Sequence, residues 1–559
     1  MKNRETPSII SSKNFITIFF IILFLYFFSL NIYQMHNQHW TAILDQDIRI
    51  IYNSLLISSG FEQEYRDHPA YTTFLILGSI YKFFSIFFDN FTIQEIINSQ
   101  NIDKSFQRLF IIARVLNSIY FFLVALILFA ILRELSIKKN ICVFSTFFIV
   151  FLCATYELLF LIRSEILSVL MALLFLYYLI KFIKKKNKIS YCFFSGFFFC
   201  LAMLAKIQII FLLFTFLVFL PFLFNYLEIS ENKNYLIRQR KYYILSLFFL
   251  NVLLIGYVII QLILGMSSYN IDLFLLSVFV IFYFFFIKFF SVKKIINFSE
   301  IFTTISTIFL GYVFCLFFIF FLDLINLIPL NKLILINLII PIEYMAIFTN
   351  KIVADTNIII TLKDYFYGSL GYFPKNFNTG INTPKIWLID TRLFFRTTNL
   401  IIFIFLIYFF AKKIKNNNLT LLSIVLYLGI VIYGLSFNFR ETHGYNIFIF
   451  PLYIILASII LNKLEKRFVI IFYLLLSINF LSETISLSDL HKNHFIREPR
   501  VYDLCGIEKW KNSENYMENF NKSSYIPLVK KPKRHFKLAR FDDRFLTNYC
   551  DQMKNKTNF

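Results

Sequence analysis

Apolar residues run through this chain in blocks of about twenty, and polar residues gather in the short gaps between the blocks. A helix needs roughly 20 apolar residues to cross a bilayer's hydrocarbon core, so each block predicts one span. The first, 15–32, follows Lys2, Arg4 and Lys13 and lacks the small-residue pattern of a cleaved signal, so it reads as an uncleaved anchor. Further spans are predicted at 109–132, 141–157, 165–183, 189–205, 207–226, 242–264, 271–290, 301–322, 398–411, 419–437, 446–462 and 468–482. That makes about thirteen, an all-α polytopic membrane protein. The segment 71–88 is also apolar, but it is short and interrupted by Gly78 and Lys82. If it crossed, every later basic cluster would fall on the side opposite the N-terminus, against the positive-inside rule. It therefore reads as an amphipathic helix on the membrane surface.

With that choice the turns sort by charge. Arg133, Lys138 and Lys139, then Lys184, Lys185, Lys186 and Lys188, then Lys233, Arg238, Arg240 and Lys241 share the cytoplasmic side with the N-terminus. Lys288, Lys293 and Lys294, then Lys412, Lys413 and Lys415, then Lys463, Lys466 and Arg467 fall there too. The outer side keeps the acids: Asp45, Asp47, Glu62, Glu64, Asp67, Glu165 and Glu441. Two long outer loops are expected, 33–108 and 323–397, within a transmembrane module covering 1–482. An odd number of spans puts the tail, 483–559, outside as a small domain, although it carries Lys530, Lys531, Lys533 and Arg534; long tails follow the charge rule poorly. In an oxidising compartment its two cysteines, Cys505 and Cys550, could close a disulfide or remain free thiols.

Composition confirms the class. The 559 residues are 58% hydrophobic, 20% aromatic and only 16% charged, which excludes a soluble globular enzyme, a disordered chain and a coiled coil. A net charge of +22 in a soluble protein would suggest nucleic acid; here the charge lies in the turns, so it reports topology and no nucleic-acid partner is expected. The abundance of Phe, 77 against 3 Trp, fits a coding bias toward A/T-rich DNA and says nothing of function. Cys142, Cys153, Cys192, Cys200 and Cys315 lie in apolar blocks, where cysteine is usually a small core residue. With 13 glycines there is neither a P-loop nor a dinucleotide-binding turn.

Candidate chemistry concentrates in the first outer loop. Asp45-Gln46-Asp47 is followed by Tyr52, and farther on by Asp67-His68-Pro69-Ala70-Tyr71. Apolar helices on both sides hold these carboxylates at the membrane surface, where in a partly wet site a carboxylate stays ionised and can act as a general base or metal ligand. Other polar groups stand at outer ends of spans: Arg163-Ser164-Glu165, Lys206, and Arg440-Glu441-Thr442-His443 ahead of Pro451. Polar groups at bilayer depth are costly and usually line a cavity. Each also has a structural reading: Arg163 could pair with Glu165, Arg440 with Glu441, and Lys206 could snorkel to the interface.

In this order the pieces resemble the GT-C superfamily of integral-membrane glycosyltransferases, which includes protein O-mannosyltransferases and aminoarabinose transferases. The resemblance covers about 1–226 and the region around Arg440, and rests on the acidic motif with Tyr52 and on the His68-Pro69-Ala70-Tyr71 element. It implies a GT-C-like bundle that takes a sugar from a polyprenyl-phosphate donor and transfers it to an acceptor hydroxyl of a glycan, lipid or protein, with inversion, on the extracytoplasmic face of a cell membrane, a bacterial inner membrane. Asp47 would be the base with Asp45 as the alternative, and Tyr52, His68, Glu165, Lys206, Arg440 and His443 would bind substrate. A requirement for Mg²⁺ or Mn²⁺ is open; Asp45, Asp47 and Glu165 are the candidate ligands. Two departures from common family forms stand out: the acids are separated by Gln46, and His68 replaces a lysine. The outer loop 323–397, with Gly368 and Gly371 among aromatic residues, reads as a lid. The competing class is a polysaccharide polymerase or a lipid-linked sugar transporter, although repeated halves and midplane charges, which mark transporters, are not evident.

Overall fold

A computed structural model describes residues 13–37, 47–63, 70–151, 161–184, 188–206, 298–330 and 446–462, with some further positions including Trp40, Thr155, Leu158, Asp551 and Gln552. Every element among them is helical: α1 (Lys13–Asn37), α2 (Asp47–Ser58), α3 (Tyr71–Phe84), α4 (Ile93–Ile97), α5 (Ile102–Glu134), α6 (Lys139–Phe147), α7 (Glu165–Lys184), α8 (Ile189–Ala205), α9 (Phe298–Leu324) and α10 (Asn446–Leu461). Four carry apolar stretches long enough to cross a membrane: Asn14–Tyr33 in α1, Ile102–Glu134, Glu165–Lys184, and Thr303–Leu324 in α9. Shorter apolar helices at Lys139–Val150, Ile189–Ala205 and Ile447–Leu461 lie with them. The chain is an all-α polytopic membrane protein. The expected spans at 242–264, 271–290, 398–411 and 468–482, and most of 207–226 and 419–437, lie outside the described residues, as does the tail except for Asp551 and Gln552.

The longest helix organises the rest. α5 has 33 residues, roughly 50 Å of helix against roughly 30 Å of hydrocarbon, so its ends project beyond a bilayer. It opens on a cap, Asn101 accepting from the Lys104 amide, with Asp103 in the first turn, and it closes with Arg133 in the last turn, both charges complementing the helix dipole. The chain after α1 is tied to this projecting part: Trp40 is fully buried, its indole N–H donates to Asp103 at 2.8 Å and its ring packs on Phe106. Deeper, Asn31 of α1 donates its amide to the Arg114 carbonyl and to the Ser118 hydroxyl. These two bonds pair the buried amide N–H groups, which would be expensive to leave unpaired in a dry interior.

The expected span 141–157 is not one straight helix. α6 ends at Phe147 and tightens into a 3₁₀ turn over Phe148–Phe151, and the Thr155 hydroxyl donates to the Ile149 carbonyl at 2.7 Å. After it, Asn117 of α5 donates to the carbonyls of Leu158 and Leu161, which steadies the irregular stretch leading to Glu165.

α8 packs between α7 and α9. At its crossing with α9, a Cβ on Gly196 would collide with the Ile308 carbonyl and one on Gly311 with the carbonyl of Phe193. Gly196 and Cys200, and Gly311 and Cys315, are each four residues apart, so two stripes of small residues let the backbones meet. Lipid supplies no hydrophobic drive for helix association, and close packing is what remains. Gly311→Val is therefore expected to lower the thermal stability of the detergent-solubilised protein by on the order of 1–3 kcal/mol. An unchanged melting temperature would show that the crossing does not matter.

The helix ends separate into two sets. Lys184 pairs with Glu134 at 3.1 Å and the Lys138 amide donates to Asn462, which gathers the ends of α5, α7 and α10 at one end of the bundle. Asp47, Glu165 and Lys206 lie at the other end, with the close of α9.

Candidate functional site

Asp47 is the first residue of α2 and is fully buried. This corrects the expectation of a partly wet carboxylate, and the reason is local: α2 buries nearly its whole surface against α3 and α5. What replaces water is charge. Arg114 of α5, also fully buried, lies within electrostatic reach of Asp47. Its guanidinium sits 5.6 Å from the centre of the Phe110 ring. A buried carboxylate within electrostatic reach of a buried guanidinium is better tolerated than either charge alone.

Arg114 was not singled out from the sequence. Its signal was present, a single Arg inside the apolar block 109–132, where an ionisable residue at bilayer depth is a functional candidate by default.

The second charged pair was legible as separate residues but not as a pair. Lys206 Nζ lies 3.1 Å from Glu165 Oε1, with the two side chains 2% and 1% exposed. Lys206 therefore does not snorkel to the interface. It follows α8 directly, in extended backbone, and its amide still bonds Ala202, which turns its side chain into the protein beside the start of α7. Arg163 adds a further positive charge near Glu165.

Tyr52 is buried in a small cluster with Leu56 and Ile93. Five residues separate it from Asp47, about 140° around a helix, so nearness in sequence does not become nearness in space. Tyr71, by contrast, opens α3 fully buried. Burial, reinforced by the Asp323 carboxylate and the Cys315 thiol, pushes its hydroxyl well above the usual tyrosine range, so it remains a proton donor. Next to it the Thr72 hydroxyl donates to the Leu201 carbonyl at 2.7 Å, joining α3 to the last turns of α8. Asp47, Tyr71, Arg114, Glu165 and Lys206 thus come from five helices tied together at one end of the bundle.

Asp45, His68, Arg440, His443, Cys505 and Cys550 lie outside the described residues. α10 starts at Asn446, shortly after Arg440 and His443 in sequence, and runs toward the end where Asn462 meets Lys138. Of the proposed metal ligands, Asp47 and Glu165 are described; among the described residues no three His, Cys, Asp or Glu side chains form a ligand set.

Residues 106–257 match the family model of dolichyl-phosphate-mannose-protein mannosyltransferases. The matched stretch holds Arg114, Glu165 and Lys206, while Asp47 precedes it. The match supports a membrane glycosyltransferase of the GT-C type, as the motifs of the first outer loop suggested. No curated protein and no solved structure matches the chain.

Proposed function

We propose that this protein transfers a sugar from a polyprenyl-phosphate carrier to an acceptor hydroxyl on the extracytoplasmic face of the membrane. The observation that carries this reading is the buried Asp47 within electrostatic reach of the buried Arg114, at the same end of the bundle as Glu165 and Lys206, in a chain whose residues 106–257 match the family of dolichyl-phosphate-mannose-protein mannosyltransferases. Asp47 takes the proton of the acceptor hydroxyl as its oxygen attacks the anomeric carbon, and the bond to the phosphate breaks with its electrons leaving on the carrier, so configuration inverts. Arg114 stabilises the carboxylate before the proton arrives. Negative charge growing on the departing phosphate is offset by the basic residues His68, Arg440 and His443, which lie beyond the described part. Lys206 is already neutralised by Glu165, so its part is to hold the ends of α7 and α8 in place around the substrate. Asp45 is the alternative base, Tyr52 and Tyr71 are taken as substrate contacts, and the loop 323–397, which from 331 onward lies outside the described residues, is read as the lid that excludes water.

The test is transfer itself. Membranes containing the protein, given a carrier with a radiolabelled sugar, should form a new glycosidic bond to an acceptor; movement of the carrier across the bilayer with no new bond would make it a transporter instead.

The topology follows the same reading. Gln552 in the tail donates to the Ser99 carbonyl at 2.9 Å and accepts from the Ile102 amide at 3.1 Å, which joins the end of the chain to the start of α5, on the side read as external. In a background with Cys505 and Cys550 replaced by Ser, a cysteine at Gln100 should react with an impermeant thiol reagent in intact cells. One at Lys188 should react only after rupture. The reverse pattern would restore 71–88 as a span and turn the protein over.

A further inference from the structure

The end of the bundle away from Asp47 carries a cluster that sugar transfer leaves unused. α7 closes there and α8 opens, and four aromatic rings meet between the two helices. Tyr178 of α7 stacks on Phe198 with ring centres 5.4 Å apart, and the rings of Tyr191 and Phe194 each lie 6.0 Å from it. Residues 191, 194 and 198 are three and four apart, so they form one stripe along α8. Phe194, in the middle of that stripe, is 46% exposed.

Two lysines stand at the rim of this aromatic wall. Lys181 Nζ lies 4.8 Å from the centre of the Tyr177 ring and within electrostatic reach of Tyr191. Lys188, the residue before α8, has its Nζ 5.8 Å from the centre of the Tyr191 ring. The chain reversal between the helices thus brings both ammonium groups to the neighbourhood of Tyr191. Among the described residues neither pairs with a carboxylate: Glu134 of α5 is bound by Lys184 at 3.1 Å. A ring face attracts a cation without neutralising it, so two positive charges remain beside an open apolar stripe.

We propose that this surface binds an anionic phospholipid of the leaflet at that end, with its phosphate at Lys181 and Lys188 and an acyl chain along Tyr191, Phe194 and Phe198. Charge selects the occupant. A zwitterionic headgroup would bring its own ammonium to two lysines, whereas phosphatidylglycerol brings only the negative charge. Basic clusters between membrane helices on the side read as cytoplasmic are where such headgroups are held. Tyrosine suits the same depth, because its ring is apolar and its hydroxyl reaches the headgroups. The lipid then joins α7 to α8 at the end opposite the pair of Glu165 and Lys206. Nothing in this rests on sugar transfer.

Tryptophan fluorescence reads the site without any measurement of activity. Full-length protein carrying Phe194→Trp is placed in phosphatidylcholine bilayers, and the native protein is measured in parallel so that the signal of its 3 tryptophans is subtracted. Quenching by phosphatidylglycerol brominated in its acyl chains is compared, at equal mole fraction, with quenching by brominated phosphatidylcholine. Phe198→Trp is treated alike, which keeps the result readable if one variant fails to fold. Leu25→Trp, on the exposed face of α1, is the control. Phosphatidylglycerol should be preferred at least about fivefold at 194 and 198, the effect of roughly one lysine near an anionic headgroup, and not at 25. Lys181→Gln with Lys188→Gln should bring the ratio to about one, while Lys184, Lys185 and Lys186 remain to keep the topology. A ratio near one without those two changes, or a preference that survives them, overturns the proposal. Quenching by neither lipid at both positions would mean that protein covers the stripe, and would overturn it equally. So would relief of the quenching by unbrominated polyprenyl phosphate but not by unbrominated phosphatidylglycerol, because the occupant would then be a carrier lipid.

Discussion

Replacing Asp47 with Asn is expected to lower the rate of sugar transfer by on the order of 10² to 10⁴, the contribution of a positioned general base. The amide nearly matches the carboxylate in shape but cannot take up the acceptor's proton. It also removes the charge that faces Arg114, so some loss of thermal stability is expected alongside. The two effects separate by comparing transfer per folded molecule, with folded protein counted by size-exclusion in detergent, and by measuring donor binding directly. A variant that folds, binds donor and does not transfer is the expected result. Should Asp47→Asn keep more than about half of the activity while Asp45→Asn loses it, the base is Asp45; if both keep it, neither carboxylate is the base and the mechanism fails.

In sequence Asp47 is set above Asp45 by lying nearer Tyr52, and the structure removes that reason. Helical geometry turns Tyr52 toward Leu56 and Ile93, while Asp47 is fully buried within electrostatic reach of Arg114; Asp45 lies outside the described residues. Element positions were legible because the physics is one-dimensional: a bilayer imposes a length, so an apolar block announces a span. Block 189–205 coincides with α8 and block 165–183 with α7 to within a residue. α5 runs longer than its block at 109–132 because its first turns are polar and project from the membrane, held by Asn101, Trp40 and Gln552. Hydropathy does not see a helix that continues in water. Side-chain partnership was not legible either. Arg163 is two residues from Glu165 and Lys206 is far along the chain, yet Lys206 pairs with Glu165, because the close packing of α7 on α8 brings the start of one beside the end of the other. A sequence read for charge alone favours the near neighbour.

That buried pair leads to the second large effect. Glu165→Gln or Lys206→Met, made singly, strands a charge in a water-free site, and each is expected to cost about 3–5 kcal/mol. Such a loss would appear as poor accumulation in the membrane and early unfolding on heating. Removing both charges together, in Glu165→Leu with Lys206→Met, replaces an ion pair by apolar groups of similar volume, a change that is often neutral or stabilising. The double variant should therefore fold at least as well as the native protein. Its transfer rate should nevertheless stay at least about tenfold down, because geometry held within a fraction of an ångström matters more for reaction than for folding. With the pair gone the ion pair that joins the start of α7 to the end of α8 is lost, and the positive charge of Arg163 loses the nearby Glu165 carboxylate. Recovery of both stability and transfer in the double variant would make the pair purely structural and remove Glu165 and Lys206 from the substrate site.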